Sequence, residues 1–163
     1  MDTYLAIASR REVREYAPTP VAEDVRLRIL DAGRLSGSSR NTQLWEFVVP
    51  TPETQQRLAE TVWAPENVAT AAFVVAIVGE AYPFDVGRCA QNMLLAAWNE
   101  GVGSCPNGIR DPDAAAALLG GGPVKTILSF GYPARPRDPQ ARTVEEWSAR
   151  ANRKPLDELS REA

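Results

Sequence analysis

The sequence predicts an α+β fold for a single domain, residues 1–163. The chain has 163 residues, which suits one domain that can bury an ordinary core. Hydrophobic residues make up 44% of the chain and charged residues 24%, as in a typical globular protein. The predicted helices and strands do not alternate strictly along the chain, which favours α+β over a doubly wound parallel sheet.

Two helices, a strand and a third helix are predicted in the first sixty residues or so. Asp2 suits the N-cap of a short first helix. A second helix is expected to carry Pro20 in its first turn and to end near Gly37, because apolar residues recur between them at helical spacing. Trp45–Val49 is typical of a strand, and Pro52–Thr61 is typical of a polar helix.

The middle of the chain is predicted to contribute the central strand and the longest helix. Ala71–Gly79 is short, apolar and rich in β-branched residues, as in a buried central strand. Asp85 is the expected N-cap of the longest helix, which Gly101 ends. A short helix at Asp111–Leu119 and a last strand at Thr126–Tyr132 follow.

Residues 133–163 are predicted to form an extended tail. Prolines open it, and two short helical pieces are expected around Val144–Ala151 and Leu156–Leu159. The tail has few packing signals of its own, and the longest helix carries the small residues Gly87 and Ala90 beside its apolar stripe. Both features make sense if a second subunit covers them, so we expect a homodimer.

Charge and composition exclude several classes of function. The net charge is −3 and the pI is about 5.1, which argues against a broad nucleic-acid surface. The chain has no histidine, so His-based zinc sites, serine triads and Cys–His dyads are excluded. Two cysteines are too few for a disulfide framework. No signal peptide or membrane-spanning run is visible, so we expect a cytoplasmic protein.

The glycine-rich stretch Leu118–Thr126 has some features of a phosphate-binding loop. A P-loop, however, needs glycine directly before its lysine and a helix after it. Val124 precedes Lys125 here and a strand is expected to follow, so the stretch predicts a turn. No GxGxxG motif follows a strand, so no Rossmann dinucleotide site is indicated.

Three segments are candidates for a binding site, and the first is SRREVREY, residues 9–16. It holds Arg10, Arg11 and Arg14, whose guanidinium groups match the geometry of a phosphate. A solvated charge run paired to its own glutamates explains the same residues. Composition alone favours that second interpretation.

The other two segments are GSSRNTQLW, residues 37–45, and GVGSCPNGI, residues 101–109. The former offers many donors and acceptors to a heteroaromatic ligand, and a plain polar turn is about as consistent with it. The latter holds three glycines and a proline. Glycine often lies where backbone approaches a ligand, whereas a helix C-cap explains Gly101 alone.

In order and spacing, these segments resemble the nitroreductase family of FMN-dependent oxidoreductases, over most of the chain. SRREVREY is similar to the family's opening basic pattern, and AGRLSGSSRNTQLWEFVV to its Pro-Ser-Ser-x-Asn-x-Gln-Pro-Trp stretch. CAQNMLLAAWNEGVGSCPNG resembles its central helix and glycine loop. LSFGYPA resembles its late strand, and RKPLDEL its C-terminal basic segment. Five such segments in register are specific.

The resemblance implies a central, mainly antiparallel sheet flanked by helices, in an intertwined homodimer whose tail, residues 133–163, packs on the partner. It implies FMN at the subunit interface and hydride transfer from NADH or NADPH to a nitroaromatic, a quinone or a similar small molecule. The flavin carries the chemistry, so no catalytic side chain and no metal is expected.

The resemblance also implies roles for individual residues. The FMN phosphate and ribityl chain would be held by Arg10, Arg11, Arg14 and Arg153. The flavin of the partner subunit would be reached by Gly37, Ser38, Ser39 and Asn41. The isoalloxazine ring would lie along Pro106, Asn107 and Gly108, with the Gly108 backbone near N5. Arg40 is the candidate substrate contact.

The chain departs from the family pattern at several places. Glu12 replaces the usual serine, and Gly37 and Leu44 replace prolines. The segment between Pro50 and Asp85 is short, which indicates an open flavin face. Two alternatives stay open: a flavin-binding protein with little turnover, or a partner subunit; and a relative of the flavin-fragmenting branch that makes the lower ligand of vitamin B12.

Overall fold

The computed structural model describes residues 1–162, which form two compact units. The first, here called the sheet unit, runs from Arg11 to Arg137. The second, the terminal unit, combines Met1–Arg10 with the chain from Asp138 onward. Among the described residues, no helix has the length and apolar character that crossing a bilayer requires.

Within the sheet unit, four strands form one antiparallel sheet in the order β1-β2-β4-β3. They are β1 (Glu46–Val48), β2 (Phe73–Val78), β3 (Gly103–Asn107) and β4 (Val124–Gly131). All six residues of β2 are buried, as its run of apolar and β-branched side chains predicts. The predicted α+β class, with a mainly antiparallel sheet flanked by helices, is confirmed.

The helices are, in chain order, α1 (Thr3–Ser9), α2 (Glu23–Arg34), α3 (Pro52–Ala59), α4 (Pro65–Ala69), α5 (Pro83–Asn99), α6 (Pro112–Leu118) and α7 (Val144–Arg150). Short 3-10 turns lie at Ser39–Asn41, Pro139–Ala141 and Leu156–Glu158. Proline begins α3, α4, α5 and α6, because the first helical position has no intrahelical use for a backbone N–H.

Two layers of helices cover the sheet. On one face, α2 and α5 pack together and bury Ile29 and Met93 in a core with Leu128 of β4. Gly33 allows this approach, because a Cβ at that position would overlap the Met93 side chain. On the other face, α3, α4 and α6 form a second core that contains Ile127. Consecutive residues of β4 therefore serve opposite faces, as a strand requires.

Two expectations about helix starts were wrong. Pro20 lies ahead of α2, which begins at Glu23 after Ala22. Asp85 does not cap α5, because Pro83 already begins that helix. Asp85 lies buried in the first turn instead, where its carboxylate accepts a hydrogen bond from a backbone N–H of another segment.

Two elements were not predicted from the sequence. The five-residue helix α4 is too short to show a periodic pattern. Strand β3 contains Gly103 and Pro106, residue types that are depleted in strands. It forms because every residue from Gly103 to Asn107 pairs with β4.

In the terminal unit, α1 packs on α7 and on the 3-10 turn at 139–141. The Asp2 carboxylate accepts a hydrogen bond from the Leu5 N–H (3.2 Å), which confirms the predicted N-cap. Thr143 and Glu146 form a reciprocal capping box at the start of α7. The Trp147 indole N–H donates to the carbonyl of Pro139 (2.9 Å) and fixes the turn to the helix.

Candidate active site

The segment from Arg11 to Tyr16, here called the arginine segment, is hydrogen-bonded to the sheet at both ends. At one end, the Val13 N–H donates to the carbonyl of Ser104 in β3 (3.0 Å). At the other, Tyr16 forms an antiparallel bridge with Pro133, just beyond β4. The extended segment therefore crosses the ends of two neighbouring strands.

A cavity of about 330 Å³ lies between this segment and the chain that follows β4. Its lining includes three arginines, Arg14, Arg135 and Arg137, and two carboxylates, Glu12 and Glu15. Three positive and two negative charges leave an excess of one positive charge, which suits an anion. Sequence reasoning identified Arg14 but missed the other two arginines, because a proline-rich stretch gives no sign of where it folds.

Five polar side chains form a cluster beside the cavity, here called the polar cluster. Its members are Tyr16, Asn67, Cys105, Asn107 and Ser129. The Tyr16 hydroxyl lies 2.9 Å from Ser129 Oγ, and Asn107 Nδ2 donates to the same Oγ (3.1 Å). The Asn107 amide also donates to the carbonyls of Cys105 (3.0 Å) and Ile127 (3.2 Å), which fixes its orientation.

One acceptor in this cluster is left over. Asn107 Oδ1 is buried and accepts no hydrogen bond from any residue of the described chain, and Ser104 Oγ nearby in β3 is buried without a partner in the same way. A buried polar atom without a partner costs roughly 1–3 kcal/mol. We therefore expect a donor from outside the chain to reach Asn107.

Charged residues of the arginine segment change the pKa of Cys105 in the polar cluster. Burial raises the pKa of the Cys105 thiol, the Glu12 carboxylate raises it further, and the Arg14 guanidinium opposes both. Burial is also the main cause that raises the pKa of Tyr16 above its ordinary value. Both groups are thus neutral at pH 7. The bridge of Glu12 with Ser104 brings the arginine segment alongside β3, the strand that carries Pro106 and Asn107.

The outer side of β3 is an edge of the sheet, and its middle is open. The carbonyls of Ser104 and Gly108 face outward, because they accept hydrogen bonds from Val13 and Trp63 (both 3.0 Å). Between them, Pro106 has no N–H. The N–H of Gly108 donates no hydrogen bond within residues 1–162. This stretch, here called the open edge, is about 13 Å long at about 3.3 Å per residue.

The predicted loop Gly37–Asn41 lies at the start of α5. The Ser39 N–H donates to Asp85 Oδ2 (2.9 Å), so the buried carboxylate holds the loop. A Cβ on Gly37 would lie 2.7 Å from Arg88 Nη2, so the loop packs against the end of a flexible side chain that could move aside. No hydrogen bond within the described chain joins this loop to the arginine segment or to residues 106–108.

The same loop has an unusual backbone. Arg40 and Asn41 have φ values of 53° and 57°, and Gln43 has a φ of 50°. Residues other than glycine rarely adopt this left-handed region, and such strain clusters at functional sites. The Ser38 hydroxyl accepts a hydrogen bond from the Gln43 N–H (2.9 Å) and stabilises the loop. Arg40 itself is exposed.

The remaining predicted residues, Arg10 and Arg153, lie in the terminal unit. Arg10 is the C-cap of α1, and its N–H donates to the carbonyl of Ala6 (3.1 Å). Arg153 follows α7, and its N–H donates to the carbonyl of Ser148 (3.3 Å). The structure thus places these two arginines in one compact unit and Arg14 in the other.

Comparisons with known proteins bear on the fold and the family of the chain. A segment of 61 residues is 39% identical to the 4-nitrobenzoate reductase of Pseudomonas putida; it spans 37% of this chain and 27% of that protein. The fold is similar to a nitroreductase family protein from Clostridium difficile 630, with a TM-score of 0.79 and 19% identity, over 99% of this chain and 98% of that chain.

A second similar structure is the NADPH:FMN oxidoreductase from Vibrio harveyi complexed with NAD+, with a TM-score of 0.76 and 20% identity over 90% of this chain and 83% of that chain. Structural similarity at such low identity establishes the fold alone. The sequence model of the Nitroreductase family, however, matches residues 7–82 and 80–132, which is well over half of the chain. The chain therefore belongs to the nitroreductase family.

Proposed function

We propose that this protein is an FMN-dependent oxidoreductase that reduces a nitroaromatic, a quinone or a similar electrophilic small molecule with NADH or NADPH. Bound FMN would accept a hydride from the nicotinamide and pass it to the electrophile. The open edge of β3 carries the proposal, because it offers a planar ligand a free backbone donor at Gly108 beside the buried acceptor of Asn107.

The residues present fit the isoalloxazine ring. The ring of a flavin carries hydrogen-bond acceptors, and the open edge offers the Gly108 N–H to one of them. Gly108 has no side chain to hold a planar ligand away from the backbone. The open edge is about 13 Å long at about 3.3 Å per residue, which leaves room for a ring system of three fused rings.

The residues also fit a single phosphate. The cavity beside the arginine segment presents Arg14, Arg135 and Arg137, and guanidinium groups bind phosphate through paired N–H donors. The negative charge of Glu12 weakens phosphate binding only in part. Its Oε2 atom is buried, and its carboxylate raises the pKa of the Cys105 thiol. Arg11, and Arg10 and Arg153 of the terminal unit, remain proposed phosphate and ribityl contacts.

The loop Gly37–Asn41 at the start of α5 has a separate role in this proposal. Gly37, Ser38, Ser39 and Asn41 reach the flavin of a partner subunit, and Arg40 faces the substrate. The left-handed backbone of Arg40 and Asn41 supports this role, because it constrains the loop that carries the exposed Arg40 side chain. The names of the similar proteins support the reaction class, since they include a nitroaromatic reductase and an NADPH:FMN oxidoreductase.

The proposal is tested on the purified protein. We expect a yellow protein whose heat-released cofactor runs as FMN in chromatography, and whose bound flavin bleaches on anaerobic addition of NADPH or NADH. Predominant FAD, a deazaflavin, or no flavin after reconstitution would contradict the cofactor assignment. Flavin that binds but stays oxidised would instead favour a flavin-binding protein with little turnover.

The phosphate site is tested with two ligands that differ in one group. Riboflavin lacks the phosphate of FMN. Arg14→Ala and Arg135→Ala should weaken FMN binding about tenfold, or about 1.4 kcal/mol, and leave riboflavin binding unchanged. Arg57→Ala, at an exposed position of α3, is the matched control and should change neither affinity. Equal losses for both ligands would show that these arginines do not hold the phosphate.

A further inference from the structure

Trp63 is a large apolar residue on the surface of the sheet unit and is 72% exposed. The three other tryptophans, all in the described part of the chain, are less accessible: Trp98 is 4% exposed, Trp147 is 9% exposed, and Trp45 is half-buried. Isolated exposed apolar residues are common and need no explanation. The backbone that carries Trp63, however, is unusually well fixed.

Four hydrogen bonds hold the chain around Trp63. Its N–H donates to the carbonyl of Gly108 (3.0 Å). The carbonyl of Thr61 accepts from the N–H groups of Arg110 (2.7 Å) and Asp111 (3.0 Å). The Arg110 guanidinium also donates to the carbonyl of Glu60 (2.6 Å). These bonds fix the backbone of Trp63, so binding to its indole has to order only the two side-chain torsion angles.

The indole lies beside Gly108. A Cβ built on Gly108 would be 3.1 Å from Cδ1 of Trp63, closer than ordinary van der Waals contact. The glycine therefore leaves space for the indole as well as for a ligand. Trp63 thus lies at the Gly108 end of the open edge, next to the free Gly108 N–H.

We propose that Trp63 is a specificity-determining residue whose indole binds the planar ring of an aromatic electron acceptor beside the FMN ring, which would itself occupy the open edge. This inference rests on the proposed function. An indole offers a large, rigid apolar face at the cost of ordering two torsion angles, and aromatic rings prefer to pack on such a face. Electron acceptors without an aromatic ring would not be bound more tightly by this indole.

The kinetic test compares the FMN-loaded wild type with Trp63→Ala and Trp63→Phe. With NADPH saturating, Trp63→Ala should raise the KM for nitrobenzene about tenfold, which corresponds to about 1.4 kcal/mol. The phenyl ring of Trp63→Phe should restore KM to within about threefold of wild type. The maximal rate with ferricyanide, an acceptor without an aromatic ring, should be unchanged in both variants.

A fluorescence test does not depend on turnover. Nitrobenzene should quench a saturable part of the tryptophan emission of the protein, because a nitroaromatic quenches an indole that it touches. That saturable part should disappear in Trp63→Phe and persist in Trp45→Phe, the matched control. In the wild type, the concentration of nitrobenzene that gives half-saturation should lie close to its KM.

The outcomes separate the two proposals. A wild type that binds no FMN, or that NADPH does not reduce, contradicts the proposed function, and the fluorescence test then decides on Trp63 alone. A normally reduced wild type whose KM for nitrobenzene is the same in all three proteins overturns the inference. So does an equal loss of ferricyanide turnover, or dissociation of an oligomer in Trp63→Ala, since either would show a structural role.

Discussion

Gly103 and Gly131 lie directly opposite each other in β3 and β4, and each faces a side chain of the arginine segment. A Cβ on Gly103 would be 2.7 Å from Val13, and a Cβ on Gly131 would be 2.8 Å from the Tyr16 ring. Real Cβ atoms do not approach that closely. This pair of glycines therefore positions the segment that carries Arg14.

Gly131→Ala should displace Tyr16 and lower the free energy of unfolding by about 1–3 kcal/mol, as overpacking does. Tyr16→Ala removes the ring that would clash. The double variant should therefore cost less than the sum of the two single variants, by at least about 0.5 kcal/mol. Urea denaturation of all four proteins measures this coupling, and strict additivity would show that the two residues do not press on each other.

Gly108→Val should impair flavin reduction more than folding. The new side chain has to displace the Trp63 indole and occupies the space beside the free N–H. Because hydride transfer needs close approach, a displacement of about 1 Å costs about a hundredfold in rate. Stopped-flow reduction by NADPH and a thermal melt measure the two effects. Unchanged reduction kinetics would remove Gly108 from the site.

Glu12→Ser should leave FMN affinity within about tenfold, or about 1.4 kcal/mol, and barely move the flavin reduction potential. The reason is that the Glu12 carboxylate affects Cys105, whose pKa it raises and Arg14 lowers, and that one carboxylate oxygen of Glu12 is buried. An anion beside the flavin ring would disfavour the reduced, anionic flavin. A clear upward shift of the potential in Glu12→Ser would therefore place Glu12 at the ring instead.

The protein should be an obligate homodimer with an interface on the order of 2,000 Å² or more. Gly87 on α5 is exposed in the single chain, and no atom lies within 4 Å of a Cβ built there from the described residues. Gly87→Glu should dissociate the dimer at micromolar concentration in sedimentation velocity. Ala117→Glu, at an exposed position of α6, is the control. A flavin-loaded wild-type monomer would refute the prediction.

Stability should fall as the pH rises above about 8.5. Burial raises the pKa of Cys89 to about 11, whereas an unfolded thiol ionises near pH 8.5. Between these values the unfolded chain loses a proton that the folded chain keeps, so the free energy of unfolding decreases. Cys105 and Tyr16 act in the same direction. Denaturation at several pH values measures the slope, and Cys89→Ser should flatten it.

Local sequence patterns predicted the elements whose structure is locally determined. The apolar run that became β2 and the Asp2 cap of α1 need only their own neighbours to be recognised. Strand β3 could not be predicted in this way, because Gly103 and Pro106 adopt it only through pairing with β4. Asp85 was misassigned for a similar reason, since its hydrogen-bond partner, Ser39, lies far away in the sequence.

The candidate site shows the same division. Arg14 and Gly108 stand in segments whose composition attracts notice. Arg135 and Arg137 join Arg14 only because the chain after β4 returns alongside the arginine segment. The sequence does not indicate that Trp63 belongs to the site. Its place beside Gly108 depends on a hydrogen bond to that residue, 45 positions further along the chain.

The open edge of β3 has a consequence for colloidal behaviour as well as for binding. Exposed edge strands invite strands from other molecules, which leads to aggregation. Here Val13 and Trp63 occupy the two ends of the edge, and Pro106 offers no N–H between them. An incoming strand would find no backbone donor at Pro106, in the middle of the edge. A flat ring needs no such ladder, so the same edge can admit a small aromatic ligand and refuse another polypeptide.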